Sequence, residues 1–230
     1  MKYYQISVST EPKIIGVRNG IYQIEIDEKS VLKNDNYIEF KQHFSRKNID
    51  FWNVQDKVHH LFPPILNGTL VKKAIVTDIM GYAPAYRFLD YIYSDKFINI
   101  IKVFNIGDYK IFDINVSGVL EKYNFLFLET VTNNQINFEQ SSIITGHKVY
   151  NDVKRHQIRN EEEYGAFLQQ SPLGSFEKIA IPSQYSGKDI ISIQAIPNKF
   201  YSEKLVDFLL DCGVTGLQIG YNNSVQLEFV

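Results

Sequence analysis

Hydrophobic and polar residues alternate over two N-terminal stretches, Tyr3–Val8 and Gly20–Ile26. Strict alternation places the apolar side chains on one face of an extended chain, so both stretches predict β-strands. Tyr37–Phe40 alternates over a shorter length and predicts a third strand. The spacing over Ile49–Phe62 instead predicts a short helix, which the Pro63-Pro64 pair would end because proline cannot continue helical hydrogen bonding.

The rest of the chain contains a pattern that occurs twice. Tyr93–Ile98 aligns with Tyr201–Val206, with tyrosine, serine and lysine in matching places and apolar residues extending the match downstream. Each copy predicts a strand, a polar loop, a second strand, a helix and a final strand. The two copies span about residues 71–116 and 177–230. Such self-similarity constrains the architecture more than any single motif does.

Local signals give bounds to the elements of each copy. Lys73–Thr77 and Lys178–Pro182 predict the first strands. Ser94 and Ser202 predict helix N-caps, because a serine hydroxyl can accept a hydrogen bond from an amide of the first turn. Apolar residues then follow at helical spacing. Gly213 stands where a left-handed residue would end the second helix.

Between the copies the pattern predicts a strand over Tyr123–Val131 and a helix that Asn160 caps, with three glutamates in its first turn. The fold class expected from all these elements is α+β, strand-rich, with an internal duplication of a strand–loop–strand–helix–strand unit. We expect an N-terminal strand-rich segment, residues 1–68, to pack on a duplicated region, residues 69–230.

Composition narrows the functional classes. Charged residues make up 22% of the chain and hydrophobic ones 44%, with a net charge of −2, so nucleic acid is not an expected partner. No apolar run approaches the about 18 residues of a membrane span, and the N-terminus lacks the apolar stretch of a signal peptide. We therefore expect a cytoplasmic protein without a membrane partner. The single cysteine, Cys212, aligns with Phe104 of the first copy and is expected to be a small core residue.

Motifs for catalysis, metal binding or cofactor binding are absent from the sequence. The only suggestive cluster is Asp56 with His60, four residues apart, beside His59. That spacing would place two of the groups on one helix face, but no third ligand follows, so we expect neither a metal nor a cofactor. An enzyme whose site combines Asp56, His60 and the distant His156 stays open as an alternative.

Aromatic residues offer a different kind of candidate. Tyr82 and Tyr86 flank a proline just after a glycine, a poor place to bury both rings, and Trp52 lies in an irregular stretch. Exposed tyrosine and tryptophan are common anchors of protein interfaces. We therefore take Trp52, Tyr82 and Tyr86 as candidate partner-binding residues, with core packing as the alternative for each.

Several of these segments together resemble a family of bacterial immunity proteins from polymorphic toxin systems, of the immunity family eleven or forty-three type. The resemblance is carried by the helix start Tyr201–Leu205, the glycine-bearing exit Cys212–Leu217, the earlier copy Tyr93–Val116, the strand Tyr123–Leu128 and the segment Phe138–Ser141. It covers roughly residues 70 to 230. It implies a non-enzymatic protein that protects its own cell by binding a cognate protein toxin encoded nearby.

Three readings follow from the sequence. The leading one is an immunity protein that neutralises a toxin by binding it. The second is an enzyme with a dispersed active site, which a deep pocket with convergent titratable groups would favour. The third is a generic ligand-binding or self-associating α+β module, which a well-formed apolar cavity or a self-complementary patch would favour.

Overall fold

The computed structural model describes residues 1–18, 22–146, 152–221 and 225–230. Its helices are α1 (Pro12–Ile15), α2 (Asp35–His43), α3 (Asp95–Ile101), α4 (Glu161–Gln170) and α5 (Glu203–Asp211). Its strands are β1 (Tyr3–Val8), β2 (Ile24–Ile26), β3 (Leu66–Leu70), β4 (Ile79–Met80), β5 (Tyr82–Ala83), β6 (Ile92–Ser94), β7 (Tyr109–Ser117), β8 (Tyr123–Leu128), β9 (Thr130–Val131), β10 (Asn137–Thr145), β11 (Lys154–His156), β12 (Ser175–Ile181), β13 (Ile190–Ile193), β14 (Phe200–Ser202), β15 (Leu217–Gly220) and β16 (Gln226–Phe229). Strand exceeds helix, which confirms the predicted strand-rich α+β class.

Contacts along the chain divide it into two compact units. The first unit comprises residues 1–5, 130–203 and 219–230, and the second comprises residues 6–129 and 204–218. Residues on both sides of Gly68 therefore lie in the second unit. The expected division into segments 1–68 and 69–230 stays a prediction.

The second unit is built on a mixed seven-stranded sheet in the order β4-β6-β8-β7-β3-β2-β5. Its central pair, β7 and β8, is antiparallel, while β3 runs parallel to β7. Every residue of β8 is buried, as expected of a strand covered on both faces. Burial of this apolar surface is the main force that holds the unit together.

The first unit contains the sheet β11-β10-β12-β16, in which β16 runs parallel to β12. It also contains β9, β13, β14 and the part of β1 up to Gln5, which pair in the order β1-β14-β13-β9. Helix α4 begins at Asn160, whose side chain accepts a hydrogen bond from the Glu163 amide, so the predicted cap is confirmed. The unit has its own apolar core, in which Phe138, Tyr164 and Phe176 pack ring against ring.

Helix α2 corrects one prediction. Tyr37–Phe40 was expected to be a strand, but it lies inside α2, where Tyr37 and Phe40 are fully buried and Ile38 and Glu39 are exposed. The Asn34 side chain accepts a hydrogen bond from the Tyr37 amide and starts the helix. Four residues cannot distinguish alternation from helical spacing, and the burial of Phe44 one turn later reveals the helical period.

Four further strand and helix assignments change. Lys73–Thr77 is not a strand, and the extended segment begins after it at β4, whereas Lys178–Pro182 falls largely within β12. The helix expected over Ile49–Phe62 is two short 3₁₀ segments, Phe51–Asn53 and Gln55–His60. The strand expected over Tyr123–Val131 is divided into β8 and β9, which belong to different sheets. The predicted strand Gly20–Ile26 is found only at β2, and residues 19–21 lie outside the described part.

The two predicted copies share a hydrogen-bonding arrangement. The Ser94 hydroxyl donates to Asp78 at 2.8 Å, and the Ser94 amide donates to the Asp78 carbonyl. The Ser202 hydroxyl donates to Asp189 at 2.6 Å, and the Ser202 amide donates to the Asp189 carbonyl. Ser94 also accepts from the Phe97 amide, which confirms it as an N-cap. The matching geometry agrees with a duplication, whose common origin stays a prediction.

A polar cluster around Asp78 explains the glycine-bearing exit of α5. The backbone N–H of Thr215 donates to Asp78 at 2.7 Å and its hydroxyl donates at 2.9 Å. Gly213 has φ +63°, as predicted for a left-handed helix end. Gly216 has φ +82°, and a Cβ there would lie 2.4 Å from the carbonyl oxygen of Ile79. Gly216 thus permits the close approach of the chain beside Thr215 to the segment that carries Asp78.

Among the described residues, no helix is both long and apolar enough to cross a lipid bilayer. Cys212, expected in the core, is half-buried at the end of α5.

Candidate partner-binding site

A groove of about 870 Å³ runs along the outer face of α2 in the second unit, and we call it the α2 groove. Its lining combines aliphatic and basic side chains, including Leu32, Ile38, Val54, Lys47 and Lys57. Leu32 is 50% exposed and Ile38 is 38% exposed. A groove of this size is large enough to enclose several side chains of a ligand.

The periodicity of α2 explains why the groove forms there. Tyr37 and Phe40 turn inward, where the Phe40 ring meets Phe112 edge to face at 5.1 Å. Ile38 and Gln42 lie on the opposite side of the helix and face the groove. The irregular chain of the two 3₁₀ segments contributes Asn53, Val54 and Lys57 to the lining.

His43, at the end of α2, is a buried member of the groove lining. It is only 7% exposed, and its ring packs edge-on against Phe44 and at a tilt against Phe51. Its Nε2 has no hydrogen-bond partner among the described residues. Burial, followed by the positive charge of Lys57, lowers the pKa of His43, so the ring is neutral at pH 7. A buried nitrogen without a partner carries a desolvation cost.

Beside the groove two aromatic rings and a guanidinium pack together, and we call this group the Arg87 cluster: Trp52, Arg87 and Phe88. The Trp52 and Phe88 rings are 4.2 Å apart, and the Arg87 guanidinium lies 4.6 Å from the Phe88 centroid and 5.6 Å from that of Trp52. Arg87 also donates to the carbonyl of Asn48, which lines the α2 groove. The cluster and the groove therefore form one continuous face.

A backbone hydrogen bond and a ring contact hold the Arg87 cluster in place. The Arg87 amide donates to the Phe44 carbonyl at 2.9 Å, which ties the loop to the end of α2. Phe88 has φ +64°, a conformation that an L-residue rarely adopts, and its ring stacks on the buried Phe51 at 4.3 Å. Strained backbone of this kind persists where surrounding packing enforces it, and it is concentrated at functional sites.

The charges of this face are unbalanced. In the described ranges, no carboxylate lies within ion-pair distance of Arg46, Lys47, Lys57 or Arg87. Burial, and then the like charge of Arg46, lowers the pKa of Arg87. Lys41 is different, because it pairs with Glu28 at 2.8 Å. These four cations thus have no carboxylate partner among the described residues, although Glu39 and Asp50 also line the groove, on a chain whose net charge is −2.

The structure places the three predicted anchor residues in two different environments. Tyr82 and Tyr86 are each only 6% exposed, so the expectation that they are too poorly placed to be buried is wrong. The Tyr86 hydroxyl donates to Glu28 at 3.0 Å and the Tyr82 hydroxyl donates to the Leu89 carbonyl, so both polar ends are satisfied inside the protein. Their rings pack on Phe125 and leave almost no area for a partner.

Trp52, in contrast, is half-buried and keeps part of its ring at the surface. Its ring belongs to the Arg87 cluster, and it also lines a smaller cleft of about 220 Å³. Tryptophan and arginine in partly desolvated contact are the residue types most often found at the energetic centre of protein interfaces.

The smaller cleft contains the histidine cluster noted in the sequence. Its lining includes Asp56 and His59, and His59 pairs with Asp108 at 3.0 Å, whereas His60 is exposed and absent from the lining. His156 belongs to the first unit, where its ring nitrogen lies 2.8 Å from the Thr145 hydroxyl. No group of three possible metal ligands occurs in the ranges that the structure describes.

Sequence reasoning missed Arg46, Arg87 and the α2 groove. The spacing of Tyr37, Phe40 and Phe44, which are three and four residues apart, was the sequence signal for a helix with one buried face. No local signal places Arg87 beside Arg46, because the fold brings together segments from the end of α2 and from the loop after β5.

Comparison of the chain with protein-family models gives no match, and comparison with curated proteins gives none either.

Proposed function

We propose that this chain is an immunity protein, which binds a toxin encoded beside it and thereby protects the cell that makes both. The observation that carries the proposal is the face formed by the α2 groove and the Arg87 cluster. It combines exposed aliphatic side chains, the Trp52, Arg87 and Phe88 cluster, and cations without carboxylate partners, a composition suited to a protein interface. The resemblance of residues 70 to 230 to immunity proteins supports the same function.

Neutralisation by binding needs no catalytic group on this chain. The protein would act by covering the active site of the toxin or by locking the toxin in an inactive conformation. Rigid anchors favour such binding, because little side-chain entropy is lost when they are already held in place. The contacts that hold Phe88 and Arg87 provide this rigidity.

Co-expression with the protein encoded immediately upstream tests the proposal. We expect that neighbour to inhibit growth when expressed alone, and this chain to restore growth and to co-purify with it in a stable complex. A toxic neighbour that is neither bound nor neutralised would contradict the proposal, as would a neighbour that is harmless when expressed alone.

A second candidate function is hydrolytic or proton-transfer catalysis in the smaller cleft. The observation in its favour is the His59–Asp108 pair, because a carboxylate that orients a histidine is a common general-base arrangement. Both side chains are substantially exposed, and the cleft has about a quarter of the volume of the α2 groove. The substitution His59→Ala tests this second function. If the variant still forms the complex with the toxin but no longer neutralises it, catalysis at His59 is favoured.

A further inference from the structure

We infer that the α2 groove and the Arg87 cluster bind an acidic segment of the partner protein, in which apolar side chains alternate with carboxylates. The apolar side chains would enter the α2 groove, and the carboxylates would meet Arg46, Lys47 and Arg87. This inference rests on the proposed function, because it specifies the chemistry of the partner at the same face.

Charge is the first argument for an acidic ligand. The Arg87 amide donates to the carbonyl of Phe44, two residues before Arg46, so the two arginines come from neighbouring backbone segments, and no carboxylate pairs with either within the described residues. A guanidinium binds a carboxylate through two parallel hydrogen bonds, so two adjacent guanidinium groups favour a ligand with more than one carboxylate. The groove lining also contains Glu39 and Asp50, which equal Lys47 and Lys57 in number without pairing with them, so the excess positive charge comes from Arg46 and Arg87.

The shape and polarity of the groove are the second argument. Leu32, Ile38 and Val54 line it, and Ile49, between the lining residues Asn48 and Asp50, is 86% exposed. Covering these side chains with apolar groups of a ligand would contribute about 25 cal/mol per Å² of area removed from water. A purely polar ligand would leave these apolar side chains in contact with water.

Nucleic acid is the other polyanion that a basic and aromatic face could bind. The net charge of −2 argues against it, because single-strand binders attract the phosphate backbone with an extended positive surface. The aliphatic groove also has no use in base stacking. We therefore expect a peptide.

Methyl NMR with two synthetic peptides tests the inference. The first is an eight-residue peptide with two leucines among glutamates, and the second has lysine in place of each glutamate. We expect the acidic peptide to shift the methyl signals of Leu32, Ile38 and Val54, and the basic one to leave them unchanged.

The double substitution Arg46→Glu/Lys47→Glu should weaken binding of the acidic peptide by about tenfold or more, because it reverses the charge of Lys47, which lines the groove, and of its neighbour Arg46. The matched control, Lys72→Glu/Lys102→Glu, makes the same change in net charge at exposed positions outside the groove lining and should leave the affinity unchanged. A thermal melt of each variant verifies that it is folded.

Three outcomes would overturn the inference: equal binding of both peptides, methyl shifts confined to residues outside the groove, or tighter binding of a thymidine oligonucleotide than of the acidic peptide. Co-expression separates this failure from failure of the proposed function. If Arg46→Glu/Lys47→Glu protects cells as well as the wild type does, the proposed function stands and the inference fails. If the wild type gives no protection, the proposed function fails whatever the peptides do.

Discussion

Two polar clusters of the second unit use their side chains in opposite ways. Around Asp78, the carboxylate accepts hydrogen bonds from Ser94 and from both the amide and the hydroxyl of Thr215, and Lys96 lies 3.6 Å away. On the face formed by the α2 groove and the Arg87 cluster, Arg46 and Arg87 have no carboxylate partner in the described part of the chain. The first cluster is satisfied internally, and the second is not.

The difference shows how to separate residues that hold the fold from residues that are free to bind. Burying a charge is costly unless it is paired and hydrogen-bonded, so the contacts of Asp78 are a condition for folding. Cations at the surface keep their water and need no partner for the fold to be stable. Their clustering without counter-charges lowers stability slightly, and a cost of this kind indicates a role outside folding.

The largest effect is expected from Asp78→Ala. It leaves the hydroxyl of Ser94 and the amide of Thr215 without their acceptor and should lower the free energy of unfolding by about 3 kcal/mol. Urea denaturation measures this. Asp50→Ala, at the exposed rim of the α2 groove, is the control and should change stability by less than about 0.5 kcal/mol. Equal effects at the two positions would erase the proposed contrast.

The pH dependence of stability provides a second test of the Asp78 cluster. Burial alone would raise the pKa of Asp78, but the hydrogen bonds from Thr215 and Ser94 and the charge of Lys96 outweigh it and hold the pKa below its usual value. The stabilisation is therefore fully present above about pH 4 and is lost as the pH falls through the folded-state pKa. In Asp78→Asn this acidic decline should be shallower, and an unchanged decline would contradict the assignment.

The next largest effect is expected from Gly216→Ala. Its Cβ would collide with the Ile79 carbonyl, and the backbone is in a left-handed conformation, so we expect a loss of about 2–3 kcal/mol. Gly213→Ala is the matched control, because it has a similar φ and no atom within 4 Å of the added carbon, and it should cost about 1 kcal/mol. Equal losses in the two variants would mean that the close approach to Ile79 does not matter.

A smaller effect is expected from His43→Phe on the binding face. The substitution keeps an aromatic ring against Phe44 and Phe51 and removes the unpaired nitrogen, so stability at pH 7.5 should rise or fall by less than about 1 kcal/mol. Because the folded-state pKa of His43 is lowered, the wild type should lose stability as the pH falls below about 6.5, whereas the variant should lose less. A loss of more than about 2 kcal/mol at pH 7.5 would mean that Nε2 has a partner essential to the fold.

The smallest effect on stability is expected from Arg46→Glu/Lys47→Glu. Removing the positive charge near Arg87 relieves repulsion, so the free energy of unfolding should change by less than about 0.5 kcal/mol. Thermal and urea denaturation together verify this. A large loss would make these residues part of the fold, like Asp78, and would end the contrast between the two clusters.

The sequence predicted what depends on near neighbours. Ser94 and Asn160 could be assigned as caps because serine and asparagine just before a helix favour that role. In the structure each accepts a hydrogen bond from the amide three residues later. The left-handed Gly213 followed from the same local logic. Trp52 was selected as a surface anchor from its irregular surroundings, and its ring is part of the candidate face.

What the sequence did not predict depends on residues far apart in the chain. Asp78 and Thr215 are separated by 137 positions, and no pattern in either segment indicates their contact. The burial of Tyr82 and Tyr86 also depends on a distant element, because Glu28 and Tyr37 satisfy the Tyr86 hydroxyl. Two tyrosines that flank a proline can therefore be buried when such partners are available, although their local sequence suggests exposure.

Hydrogen–deuterium exchange on the purified complex with the neighbouring toxin tests the central claim most directly. We expect binding to slow the exchange of amides in residues 35–61 and 87–88, which carry the α2 groove and the Arg87 cluster, while amides around Asp78 are already protected in the free protein. A complex that leaves residues 35–61 and 87–88 unprotected and slows exchange elsewhere would contradict the assignment of this face.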